Sequence, residues 1–82
     1  MKTKIHYEIV IDTINDEGNV ATRIVKSISE RQARGLDPNM VEAAKQARRD
    51  FGGPRSEGNF GDGRGWHEGD TWNRLRWFFY CD

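Results

Sequence analysis

From Lys4 to Asp12 the residues alternate between two phases. Ile5, Tyr7, Ile9 and Ile11 fall in one, and Lys4, His6, Glu8 and Asp12 in the other, with Val10 the lone apolar residue of the second. A period of two belongs to a strand with one face turned to a core. Val20 to Ile28 repeats it, with Val20, Thr22, Ile24 and Ile28 in phase and Arg23, Val25 and Ser27 out of phase. Between them, Asn15-Asp16-Glu17-Gly18-Asn19 supplies the residue types that open a turn and accept positive φ. The two segments therefore predict an antiparallel hairpin.

Helical spacing follows. Ser27 with Glu30, or Ser29 with Gln32, has the spacing of a capping box, and Gly35 can end what it starts, as a single helical turn or a loop. Asp37-Pro38 is a stronger start, an N-cap followed by proline at the first helical position. The run to Phe51, with Met40, Ala44, Ala47 and Phe51 inward, predicts an amphipathic helix over 38–51 that ends at Gly52-Gly53-Pro54. Residues 52–70 hold seven of the nine glycines and two large apolar side chains, Phe60 and Trp66. They are expected to be a long flexible loop whose amides, over 53–69, exchange fastest. Strand character returns from Thr71 to Cys81, with Leu75, Trp77 and Phe79 on one side and Trp72, Arg74, Arg76, Phe78 and Tyr80 on the other.

The expected fold class is α+β: a hairpin, a helix, a Gly-rich loop and a C-terminal strand in one domain over 1–82, forming a small antiparallel sheet with one helix on one face. A right-handed crossover through the helix places the last strand beside the first, giving the order 2-1-3. At 82 residues the core is thin, since folding buries only roughly 60–65% of the surface of a chain this size. Ile5, Tyr7, Ile9, Ile11, Ile24, Leu75, Trp77 and Phe79 would supply its sheet side.

The opposite face, with Trp72, Phe78 and Tyr80 beside Val10 and Val25, carries more apolar surface than isolated exposed residues explain. Three covers are open. The loop can fold back and lay Phe60 and Trp66 on those aromatics; a partner can bind Trp72, Arg74, Arg76, Phe78 and Tyr80 together with Phe60, Arg64 and Trp66, since Trp, Tyr and Arg dominate interface hot spots; or the chain can form a homodimer. Thirteen basic residues balance thirteen acidic ones, so no global field draws the chain to nucleic acid or to an anionic membrane. A basic helix side formed by Lys45, Arg48 and Arg49 is the alternative nucleic-acid footprint, and Arg74 and Arg76 beside the last-strand aromatics could serve single-strand binding. Direct nucleic-acid binding ranks below a protein or nucleoprotein partner.

Catalytic patterns are missing. His6 sits on a polar strand face and His67 in the glycine-rich segment, neither beside a nucleophile motif. His67-Glu68-Gly69-Asp70 lacks the second histidine of a zinc-protease helix, and one cysteine, Cys81, cannot build a thiolate cage or an intrachain disulfide. Gly61-Asp62-Gly63-Arg64-Gly65 lacks the Gly-Lys-Ser/Thr of a phosphate loop, and Asp62, Glu68 and Asp70 do not have EF-hand spacing. The chain thus reads as a binding protein with no catalytic residue, metal or cofactor. No apolar run approaches the ~20 residues of a membrane span, and the single cysteine fits a reducing, cytoplasmic setting.

The order of Ile5–Ile11, Val20–Ile28, Val41–Phe51 and Trp72–Tyr80, in so short a chain without a catalytic motif, resembles the small phage-encoded anti-CRISPR proteins. Those inhibitors share no common motif, so the resemblance assigns no individual residue a role. It implies a protein that occludes a site on a bacterial nucleic-acid-processing complex in the host cytoplasm, through surface side chains and without a cofactor.

Overall fold

The computed structural model describes residues 3–51 and 60–81. Six elements follow one another: β1 (Thr3–Ile14), β2 (Val20–Ile28), α1 (Glu30–Leu36), α2 (Pro38–Phe51), β3 (Phe60–Glu68) and β4 (Thr71–Cys81). The strands form one antiparallel sheet in the order β2-β1-β4-β3, and α1 and α2 pack on one face of it. The last strand does lie beside β1 and antiparallel to it, pairing from Thr3↔Cys81 to Thr13↔Thr71.

Local chemistry accounts for each boundary. The Asn15 side-chain oxygen accepts the N–H groups of Glu17 and Asn19, each at 3.0 Å, and Gly18 takes φ +83°, closing the β1–β2 hairpin. Of the two capping boxes the sequence allows, Ser29 with Gln32 forms: Gln32 N–H donates to Ser29 Oγ at 3.1 Å, and Ser29 N–H to Gln32 Oε1 at 2.9 Å. It starts a true helix of seven residues, so the sheet carries two helices and not one. Asp37 caps α2, its Oδ1 accepting Met40 N–H at 3.1 Å, while its Oδ2 accepts the N–H of Arg64 on β3 at the same distance.

The expected glycine-rich loop over 52–70 is in part a strand. Residues 60–68 are strand β3, paired with β4 through a two-residue Gly69-Asp70 turn in which only Gly69 has positive φ, the pattern of a type II′ turn. Residues 52–59 lie outside the described residues. Glycine is required along β3 because aromatic rings lie across its backbone: a Cβ on Gly61 would stand 2.3 Å from the Trp77 ring, and one on Gly65 2.2 Å from the Trp72 ring. Between Asp62 and Gly65 a bulge sets Gly63 and Arg64 opposite Leu75.

The core joins Tyr7, Leu75, Trp77 and Phe79 from the sheet to Ala33, Met40, Val41 and Ala44 from the helices, with Ile5, Ile9, Ile28, Ala47 and Trp66 partly buried around it. The Phe51 side chain, expected inward, lies outside the described residues. The helices cover only part of the sheet. A 14-residue helix is ~21 Å long, whereas the 12 residues of β1 run ~40 Å within a molecule 46 Å in its longest dimension. Ile11 and Ile24, expected in the core, fall beyond the helices, and Ile24 remains 46% exposed. Both hairpin turns project at this end, tied by the Ile14 N–H donating to the Asp70 carbonyl at 2.9 Å.

Candidate functional site

Because the odd residues of β4 fill the core, its even residues all project from the opposite, outer face. The register sets each between neighbours: Trp72 between Asp12 and His67, Arg74 between Val10 and Gly65, Arg76 between Glu8 and Asp62, Phe78 between His6 and Phe60, and Tyr80 beside Lys4. The last-strand residues singled out from sequence therefore do share one face, with no described element packed over it.

The face has an aromatic cluster at each end. Trp72 packs at a tilt against His67 with centroids 4.6 Å apart, its indole resting on Gly65. At the other end His6 meets Phe78 at 4.7 Å and Tyr80 at 6.3 Å, and the Ser27 hydroxyl lies 3.1 Å from His6 Nε2. Trp72 and Phe78 are half-buried by these contacts, and Tyr80 is 37% exposed. Between the clusters Val10 is fully buried although it lies on the outer face, beneath its cross-strand neighbours Val25 and Arg74.

Most of the charge is matched within the face. Arg23 donates from Nε and Nη2 to both oxygens of Asp12, at 2.7 and 3.1 Å. This hydrogen bond first, and the positive charge of Arg23 with it, holds the Asp12 carboxyl below the usual carboxylate range although burial opposes. Arg76 Nε donates to Glu8 at 3.3 Å. Arg74 differs, since its Nε is buried without a hydrogen-bond partner among the described residues. An unmet donor of that kind is costly, and being buried it is closed to an incoming group, so Arg74 can meet a carboxylate or carbonyl only through the outer nitrogens of its guanidinium.

Of the other candidates, Phe60 holds a register position on this face, whereas Trp66, Arg64 and the basic helix residues lie away from it. Trp66 pairs with Asn73 and packs toward the helix-side core, so it cannot be a lid over Trp72, Phe78 and Tyr80. Phe60 pairs with Phe78 along the backbone, and its side chain lies outside the described residues. Arg64 sits at the bulge beside an open cleft of about 420 Å³ between α2 and β3, lined by Asn39, Met40, Ala43, Gly61 and Trp77. On the basic helix side, Lys45 reaches Glu30 at 3.3 Å and Arg49 donates to Gln46 at 2.8 Å, which leaves Arg48 at the rim of a second cleft with Lys4, Ile5 and Tyr80. His6, Asp12 and Arg23 join the outer face without having been singled out. Their signal was present, because the second phase of β1 and of the hairpin strand must share a face with the even residues of β4 once the strands pair antiparallel.

Among the described residues no three His, Cys, Asp or Glu side chains converge into a metal-holding group, and no helix is long and apolar enough to cross a membrane. Comparison with protein-family models, with curated proteins and with solved structures finds no match to this chain.

Proposed function

We propose that this chain is a non-enzymatic binding protein that docks through the outer face of its sheet onto a bacterial protein or nucleoprotein complex and occludes a site there. This is the mode of action of the phage-encoded anti-CRISPR inhibitors that its layout resembles, and it would operate in the host cytoplasm. One observation carries the reading: Trp72, Phe78 and Tyr80 share with Arg74 a face over which no described element packs, while the neighbouring arginines are already matched to carboxylates. Aromatic and arginine anchors amid neutralised surroundings describe a protein-docking surface.

Charge arithmetic favours this reading over nucleic-acid binding. With Arg23 and Arg76 held by Asp12 and Glu8, neutralising one or two phosphates would give a salt slope of only about 0.7–1.4 on single strands, whereas dedicated binders make about 6–10 phosphate contacts. The chain as a whole carries no net charge.

The test is phage plating on bacteria that carry defined CRISPR systems and express this chain. Restored plaquing in one of the immune strains is expected, together with binding of the purified chain to that strain's surveillance complex. Trp72→Ala should weaken that binding by about 2 kcal/mol or more, roughly thirtyfold, without unfolding the chain. Unbroken immunity in every strain despite folded, abundant protein would refute the CRISPR target. Micromolar or tighter binding of a labelled single-stranded oligonucleotide at ~0.15 M salt, weakened by changing Arg74 and Arg76, would replace the protein partner with nucleic acid.

A further inference from the structure

The two edges of the sheet differ sharply. β3 is blunted by its bulge and by Asp37, which takes the Arg64 N–H. Edge β2 has no such protection: all of its residues from Val20 to Ser27 are exposed, including Val20 at 47%, Ile24 at 46% and Val25 at 42%. It runs nine residues without proline, and of its two charged residues Arg23 is held by Asp12, which leaves Lys26 the one without an ion-pair partner among the described residues. A long, apolar, unprotected edge is a template for another strand.

We infer that β2 pairs with β2 of a second copy of this chain, antiparallel about a two-fold axis at Ile24, to make one continuous eight-stranded sheet. The register follows from the sequence. Centring on Ile24 pairs all nine residues and sets Ile24 against Ile24 of the second copy, Val20 against Ile28 and Lys26 against Thr22, with no like charges directly opposed. Centring on Arg23 or on Lys26 would oppose identical charges, which is destabilising.

The helix layer allows the approach. α1 leaves β2 at Ser29 and carries the chain to Asp37 beside β3, away from this edge, and the core holds of β2 only Ile28, at its end. On the helix side the pairing creates an unbroken row, Ile11–Ile24 and its symmetry mate, across the joint. An axis normal to the sheet also sets both outer faces on the same side, so one dimer presents two copies of the Trp72–Tyr80 surface.

A nine-residue strand edge of ~30 Å falls at the small end of interface sizes, so the dimer should form across the micromolar range and not as an obligate pair. Sedimentation and light scattering on a concentration series should show the mass rising from 9.5 kDa toward twice that value. Ile24→Lys should abolish the rise while leaving far-UV circular dichroism unchanged, because Ile24 is already solvent-exposed in the single chain. In a Cys81→Ser background, Ile24→Cys should cross-link on oxidation and Thr22→Cys should not, because directly opposed Cα atoms stand about 4.5–5.5 Å apart, within disulfide reach. A 9.5 kDa mass at every concentration would overturn the inference, as would self-association that survives Ile24→Lys or cross-links no better at 24 than at 22.

Discussion

Replacing Gly61 by alanine tests whether glycine-rich β3 is built structure. In a flexible segment the exchange would stabilise the chain by about 0.4–1 kcal/mol, by narrowing the unfolded ensemble. In the folded sheet the new methyl would stand 2.3 Å from Trp77 Cζ2 and 2.4 Å from Cε2. Carbon atoms rest about 3.5–4.0 Å apart, so the ring must move by roughly an ångström or more. Trp77 has little room, being only 8% exposed and packed against Phe79 with centroids 5.1 Å apart. Overpacking of this kind costs about 1–3 kcal/mol, and with a ring displacement this large the cost falls in the upper half of that range, about 2–3 kcal/mol; with the entropic gain of about 0.4–1 kcal/mol subtracted, Gly61→Ala should be less stable by about 1–2.6 kcal/mol, or lower in Tm by roughly 4–20 °C for a domain of this size. Gly35→Ala is the control. Gly35 lies near the end of α1 with nothing within 4 Å of its added Cβ, so that variant should gain about 0.5–1 kcal/mol. Urea unfolding followed by tryptophan fluorescence measures both. A Gly61→Ala midpoint equal to or above wild type, with unchanged m, would refute the close approach of Trp77.

Gly65→Ala should cost less stability than Gly61→Ala, because the half-buried Trp72 can swing outward, yet it should shift the fluorescence of that indole and weaken partner binding as Trp72→Ala does. Asp12 has a folded pKa below its unfolded value, so its contribution is present above the unfolded pKa and is lost as pH falls through the folded one. Melting curves from pH 5 downward should therefore lose stability in wild type, with a smaller acid-dependent loss in Asp12→Asn. Burial first, and then Glu30, raise the Tyr7 hydroxyl from 10.0 to about 12. The stability this contributes is present below pH 10 and is lost as pH rises through 12, and a 295 nm titration should show late ionisation that Tyr7→Phe removes.

What could be read from the sequence was whatever local chemistry decides. The Asn15–Asn19 turn, the Asp37-Pro38 start of α2 and the alternation of β1 and β4 each depend on neighbours in the chain, and all appear where residue type places them. β3 was illegible because glycine signals flexibility when its neighbours are unknown. Here Gly61 and Gly65 serve Trp77 and Trp72, which follow 16 and 7 positions later, and no local rule connects them. A usable signal did exist in Gly69-Asp70, a two-residue turn of hairpin type just before the Trp-rich strand. The outer face was half legible for the same reason. Parity alone groups Trp72, Arg74, Arg76, Phe78 and Tyr80, whereas the neutralisation of Arg76 by Glu8 requires the register between residues 68 positions apart.

That register also explains how one sheet face can be both open and ordered. Val10 and Asp12 are buried there with no described element packed above them, and their cross-strand neighbours are Val25 and Arg23 of β2 and Arg74 and Trp72 of β4. Arg23 is fixed by two hydrogen bonds to Asp12, Trp72 by Gly65 beneath it and His67 beside it, and Phe78 by His6. A partner meeting such a surface has few rotamers left to freeze, each of which would otherwise cost about 0.5–1.5 kcal/mol on binding. The docking face therefore needs no conformational change in the sheet to engage. The same economy limits what it can recognise: with two of its arginines committed to Asp12 and Glu8, the face offers the outer nitrogens of one further guanidinium, flanked by aromatics, and the proposed partner would be a largely apolar protein patch with a single carboxylate or carbonyl placed to meet Arg74.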